Sequence, residues 1–161
     1  LVRPVLVRPV LVRLVKVRHM PSDLILKSMN GFHRMILKLS FGKVGWDAAK
    51  MPVLELTTTG RKSGEQRSCL LTSPLQQGET IIVVASRGGD DQNPAWFLNL
   101  QADANVLVAY RGGPRRPMIA HVASAEERAE LWPQVIADHQ NYAGYQRRTE
   151  REIPLVLLRP V

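Results

Sequence analysis

Between residues 53 and 122 the chain is written as short runs of Val, Ile, Leu and Thr, most of them separated by glycine-bearing turns. Residues 53–59 (VLELTTT) read as a strand, 60–65 (GRKSGE) as a turn and 68–73 as a second strand. Gln77-Gly78-Glu79 turns the chain into a third strand over 80–86. Residues 105–110 and 116–122 form a hairpin around Gly112-Gly113-Pro114, and 153–158 make a closing strand. Strands this short, joined by hairpins, do not build βαβ units. No GxGxxG follows a strand, so a Rossmann fold is unsupported. Six short strands suit a small split or closed barrel, which removes sheet edges and leaves a groove.

Helices punctuate the strands. Ser22 and Asp23 are good N-caps for a helix to about Ser40, with Ile25, Met29, Phe32, Ile36 and Leu39 on one apolar face. Asn93 is placed to cap a short helix with Pro94 in its first turn and an end near Ala102. Ser124 and Glu127 make a capping box for a long helix to about Gln140. The expected class is α+β, mainly β: a six-stranded split β-barrel with an N-terminal helix, a short helix and a long helix before the last strand.

A chain of 161 residues suits one domain, and 45% hydrophobic with 22% charged residues suits a packed core. One cysteine makes neither an internal disulfide nor a Cys-rich zinc site. No apolar run approaches the roughly 18–20 residues of a membrane span. The net charge of +8 invites a nucleic-acid reading, but Arg3, Arg8, Arg13, Lys16 and Arg18 fall in the first nineteen residues with no acid. The remainder holds 17 basic and 14 acidic residues, a net of +3. The unit LVRPV is written twice over 1–10, then degraded as LVRLV, and His19-Met20 resembles what a cloning site leaves before a start codon. A leader foreign to the domain is therefore expected over 1–19. Residues 20–49 are expected to form an amphipathic helix and loop, and 50–161 the barrel domain. Nucleic acid is not an expected partner, since stacked strand aromatics are also missing.

Thr57 to Gly64, TTTGRKSG, is the most unusual stretch. Backbone amides in such a turn can form an anion-binding nest, and Arg61 and Lys62 add donors and charge. The same letters also spell an ordinary polar hairpin turn. Arg67 and Arg87 flank the groove and are candidates to join an anion site. Residues 53–99 hold four basic and five acidic residues, so any such site is local. GxxxxGK[ST] and GxSxG are absent. His33, His121 and His139 lack ligand spacing, and no metal is expected. Cys69 reads as an inert buried thiol. Tyr142 and Tyr145 are able to bond a ligand or donate a proton, or to be structural. With no nucleophile and no acid/base pair, an enzyme of this sequence needs a cofactor for its chemistry.

The series LTTTGRKSGEQRS, VVASRGG, NPAWFLNLQADANV and IPLVLLRP resembles the deazaflavin-dependent nitroreductase family of actinobacterial, mainly mycobacterial, oxidoreductases, in register over about residues 50–160. The resemblance implies a split barrel that binds coenzyme F420, whose oligoglutamate tail is polyanionic. Arg61, Lys62, Ser63 and Arg67 match the family's tail-binding segment. Ser68, Cys69, Leu70, Leu71 and Thr72 match the next cofactor-contacting stretch. Val84, Ala85, Ser86 and Arg87 match a strand end beside the ring and phosphate. Ala95, Trp96, Phe97, Leu98 and Asn99 match a helix start that walls the site. Tyr142 and Tyr145 match tyrosines at the substrate side, and Tyr142 also borders the cofactor.

The implied reaction is hydride delivery from reduced F420 to a quinone, an activated enone such as a coumarin-like lactone, or a nitroaromatic. Ser86, Tyr142, Tyr145 or water would supply the proton. His139 stands where the nitroreductase has tyrosine, and Leu70 where it has proline; both weigh against nitroimidazole reduction. The implied location is cytoplasmic, with peripheral contact at the inner face of the cell membrane through residues 20–49 or a lid role for that segment. A homodimer is a further expectation. The alternatives are an FMN-binding split-barrel oxidoreductase and a non-catalytic F420-binding protein.

Overall fold

The computed structural model describes residues 47–48 and 50–161; the expected leader and N-terminal helix lie outside them. The strands are β1 (Asp47–Ala48), β2 (Met51–Thr59), β3 (Gln66–Thr72), β4 (Leu75–Gln77), β5 (Thr80–Val84), β6 (Asn105–Tyr110), β7 (Arg115–Val122) and β8 (Leu155–Pro160). The helices are α1 (Ala95–Ala102), α2 (Ala125–Asp138) and α3 (Gln140–Gln146), with one 3₁₀ turn at Arg87–Gly89. The class is α+β and mostly β.

The described strands number eight, not the expected six. The six expected strands are present, and β1 and β4 are the additions. Both are two or three residues long, too short for any alternation to show in sequence. The long helix ends at Asp138, close to the expected Gln140, and a further short helix, α3, follows it. Ser124 caps α2 through the expected box with Glu127, but His139, at φ −132° and ψ 71°, breaks the helix before Gln140. Tyr142 and Tyr145 therefore ride on a separate short helix.

Every pairing is antiparallel, and the path runs β3-β2-β6-β7-β8-β5-β4, with β1 continuing beside β2. The two ends of that path, β3 and β4, are joined by Ser73 and Pro74 alone. The sheet must therefore curl round on itself. Ser73 stitches the seam: its amide donates to Pro52 O at 2.9 Å, and its Oγ donates to Ile82 O at 3.0 Å.

Strand alternation sorts the side chains into two cores. Leu54, Leu56, Ile81, Val83, Val156 and Leu158 point into the barrel and meet Phe97 and Leu100 of α1. Ile82, Val84, Leu155 and Leu157 point outward and are covered by Leu131 and Val135 of α2 and Tyr142 of α3. Thus α1 belongs to the barrel interior, and α2 and α3 belong to its outer face.

Candidate functional site

Two connections lead to α1, and between them they carry most of the charged site candidates. The first is the turn between β2 and β3. Gly60 O accepts from the amides of Ser63 (3.1 Å) and Gly64 (2.7 Å), and Gly60 N–H donates to Glu65 O at 2.7 Å. Glu65 N–H donates to Ser63 Oγ at 3.3 Å. A Cβ on Gly60 would stand 2.8 Å from Ser63 Oγ and 3.1 Å from Glu65 O, so only glycine fits without a shift. The backbone nest expected here is corrected by these bonds: the amides of residues 60, 61, 63, 64 and 65 all have partners inside the protein. The charged side chains Arg61 and Lys62 are both exposed.

Asn99 of α1 holds that turn. Its Oδ1 accepts from Arg61 N–H at 3.2 Å and from Arg61 Nη1 at 3.3 Å. Its Nδ2 donates to Thr58 Oγ1 at 3.1 Å, and Thr58 Oγ1 donates to Arg67 O at 3.4 Å. Asn99 is buried, and its amide positions the turn through these bonds. Arg67 itself reaches Glu65 at 2.5 Å, with both side chains exposed.

The expected stretch from Ser68 to Thr72 is split by the pleat. Cys69 and Leu71 pack against the barrel core, while Ser68 bonds Thr57 Oγ1 at 2.7 Å and Thr72 bonds Tyr142 OH at 3.1 Å on the other face, which Leu70 shares. The same parity separates Val84, in the outer core, from Ala85, in the inner one.

The second connection runs from β5 to α1 over residues 85–93. Arg87, Gly88 and Gly89 stand in succession at φ 47°, 69° and 85°, the left-handed region. Glycine adopts it freely, but Arg87 does so at a cost. Arg87 is tied back through Nε to Asp90 Oδ2 at 3.4 Å and through Nη1 to Gln92 Oε1 at 3.3 Å. Gly89 is pressed against α3, where a Cβ would lie 2.6 Å from Tyr145 O. The helix cap differs from expectation: Pro94, not Asn93, is the N-cap of α1, and Asn93 Oδ1 instead accepts from Arg151 Nη1 at 2.8 Å. A half-buried guanidinium has claimed the side chain that a cap would have used. Ala95 is exposed at the helix start, and Trp96 is half-buried with its ring edge-on to Phe97 at 6.1 Å.

Arg151 is the residue that sequence reading missed. It also donates to Asp90 O, Ala85 O and Ser86 O, and its pKa is lowered by burial, with Asp90 and Asp91 opposing. Nothing local marks it, since it is one arginine in an arginine-rich stretch and all of these partners are in a different loop.

The two tyrosines separate in environment. Tyr142 is 4% exposed, and its hydroxyl meets Thr72 Oγ1 and Met51 Sδ. Burial raises its pKa above the ordinary phenol value, partly offset by the Thr72 hydrogen bond. Tyr145 is half-buried and packs edge-on to Tyr142 at 5.9 Å.

Comparison with known proteins gives consistent matches. The family model described as F420H(2)-dependent quinone reductase matches residues 32–160. A candidate F420H(2)-dependent quinone reductase of Mycobacterium tuberculosis is 38% identical over 113 residues, 68% of this chain and 91% of that protein. A second Mycobacterium tuberculosis protein, named an F420H(2)-dependent quinone reductase, is 35% identical over 134 residues, 78% of this chain and 86% of that protein. The solved structure of an F420-H2 dependent reductase superposes with a TM-score of 0.59 at 35% identity, covering 66% of this chain and 93% of that one. A solved domain-swapped dimer superposes at 0.61 with 31% identity, covering 86% and 98%.

Proposed function

This chain belongs to the family of F420H(2)-dependent quinone reductases, and from that premise we propose how its residues divide the work. It is an F420-dependent reductase, with reduced coenzyme F420 as the hydride donor. The coenzyme supplies two electrons as a hydride, which is why the protein needs no nucleophile of its own.

The observation that carries the proposal is the β2–β3 turn, which exposes two cations and is held against α1 where the buried Asn99 amide meets Arg61. That donor set fits a polyanionic tail. Lys62 gives a point charge, and Arg61 presents a guanidinium already oriented by Asn99. Ser63 and Arg67 extend the same edge. Across α1, Ser86 and Arg87 are proposed to face the ring and phosphate, with Trp96 as an apolar wall that excludes water. Of the three proposed proton donors, Tyr145 and Ser86 are the stronger. Tyr142 is assigned to holding α3 on β3, because its hydroxyl is already engaged there. A quinone is the acceptor class that the family supports; enones and nitroaromatics are proposed as further two-electron acceptors. Homodimer formation, supported by the swapped neighbour, belongs to the same proposal. So does a cytoplasmic enzyme touching membrane through residues 20–49. Among the described residues no helix is long and apolar enough to cross a membrane.

Fluorescence titration of F420 into the full chain, with FMN in parallel, tests the cofactor assignment. Saturable F420 binding without FMN binding is expected, and reduced F420 should then be oxidised on adding a quinone. Lys62→Ala should weaken F420 binding several-fold with unchanged thermal stability, since the side chain is exposed. Unchanged affinity in that variant refutes the tail site, and FMN binding alone refutes the cofactor.

A further inference from the structure

We propose that Arg151 is the positioning residue of the 85–93 loop, setting Ser86 and Arg87 in their binding arrangement; this rests on the roles proposed for those two residues above. The loop has an unusual difficulty. It must turn from β5 into α1 through three consecutive left-handed residues, one of them an arginine. Such a conformation costs energy and persists only where the surroundings over-determine it.

Arg151 supplies that constraint with its whole fork. Nε donates to Asp90 O at 2.7 Å, Nη1 to Asn93 Oδ1 at 2.8 Å, and Nη2 to Ala85 O at 3.1 Å and Ser86 O at 3.0 Å. Two of these acceptors precede the left-handed run and two follow it, so one planar group bridges both sides of the bend. The link continues to Arg87. Asp90, whose carbonyl is held by Arg151, turns its carboxylate to Arg87 Nε at 3.4 Å and to Gln92 N–H at 2.9 Å. Arg151 is in turn steadied by its own segment. Its amide donates to Thr149 Oγ1, whose hydroxyl donates to Asp91 Oδ1 at 2.8 Å, and Gln146 Nε2 donates to its carbonyl at 2.8 Å. A lysine would keep the charge but not the simultaneous reach to four acceptors.

Arg128 is the matched control. It too anchors the approach to β8, through Ile153 O, Gln146 Oε1 and Glu152, and it stacks on Trp132, but it donates to nothing in the loop. The experiment measures F420 affinity by fluorescence and amide hydrogen exchange over residues 85–93, on the full chain. Arg151→Met should weaken F420 binding about tenfold or more and speed exchange in the loop. Arg151→Lys should fall between it and the wild type. Arg128→Met should lower thermal stability while leaving affinity within about twofold. Because Arg151 is argued to act through Arg87, losses in Arg87→Ala and Arg151→Met should not add in the double variant. Wild-type affinity in a folded Arg151→Met, equal weakening in Arg128→Met, or strictly additive losses would each overturn the proposal. Should Arg151→Met fail to fold, Arg151→Lys decides: wild-type affinity together with wild-type loop exchange overturns it. If the wild type binds no F420, the cofactor reading has failed, and hydrogen exchange still reports whether Arg151 holds the loop.

Discussion

The β2–β3 turn and the β5–α1 loop each carry an arginine among the candidate site residues, but they are held by different means. The turn is tied by its own backbone, with Gly60 as donor and acceptor within six residues, and needs only Asn99 from outside. The loop has internal bonds too, such as Gly89 N–H to Ser86 O at 2.9 Å, but it is also fixed from outside by Arg151, by Arg148 Nη1 donating to Gly88 O at 3.2 Å, and by close packing on α3. A self-tied turn keeps its shape when a neighbour changes. A loop held from outside takes its shape from distant residues and is lost with them.

The largest effect should come from deforming the externally held loop. Gly89→Ala places a Cβ 2.6 Å from Tyr145 O at a φ of +85°, so strain and overpacking combine. A loss of about 3 kcal/mol is expected, seen as a fall in Tm of roughly 6–12 °C. Chemical denaturation should show it, and a loss under about 1 kcal/mol would mean that the loop yields and the contrast is overstated. Next comes untying the turn. Asn99→Ala removes the acceptor for Arg61 and the donor to Thr58 while leaving the Gly60 bonds intact. About 1–2 kcal/mol is expected, less than for the loop. A larger loss than Gly89→Ala would reverse the comparison.

The smallest effect concerns the support behind the loop. Tyr142→Phe removes the hydroxyl that joins α3 to Thr72 and Met51, for about 1 kcal/mol. It also tests pH dependence. The folded state keeps the Tyr142 proton above the ordinary value of 10.0, whereas the unfolded chain releases it there. Stability is therefore full below that pH and falls as pH rises toward the higher folded value. Urea unfolding at pH 9 and pH 11 should show a steeper alkaline loss in the wild type than in Tyr142→Phe; parallel losses would place the sensitivity elsewhere.

The same contrast explains what could be read in the sequence. The turn at Gly60, the hairpin at Gly112-Gly113 and the Ser124–Glu127 box are each written within a few residues, and each stands as expected. The six principal strands were legible because their apolar runs are long enough to read. Strands β1 and β4 were not, since two or three residues hold no period. Asn93 looked like a cap because capping is local, but Pro94 holds that position and the Asn93 side chain is taken up by Arg151, a distant residue. The seam at Ser73 was equally hidden, as its partners lie on two other strands. The match of RKSG to a tail-binding segment named residues but not their support, which comes from Asn99.

Strand β8 lies between β7 and β5, and both precede it in the chain, as do all the strands it completes. During synthesis, β2, β3, β6 and β7 can assemble as one sheet and β4 with β5 as another. Among the described residues no strand pairing joins the two until β8 leaves the ribosome. Until then β5 and β7 each present an open edge, the kind that invites wrong pairing in a nascent chain. Arg151 emerges just ahead of β8, so barrel closure and the fixing of the 85–93 loop become one late event. A chain cut short before that point would carry the β2–β3 turn, the proposed tail site, without the loop proposed to complete it.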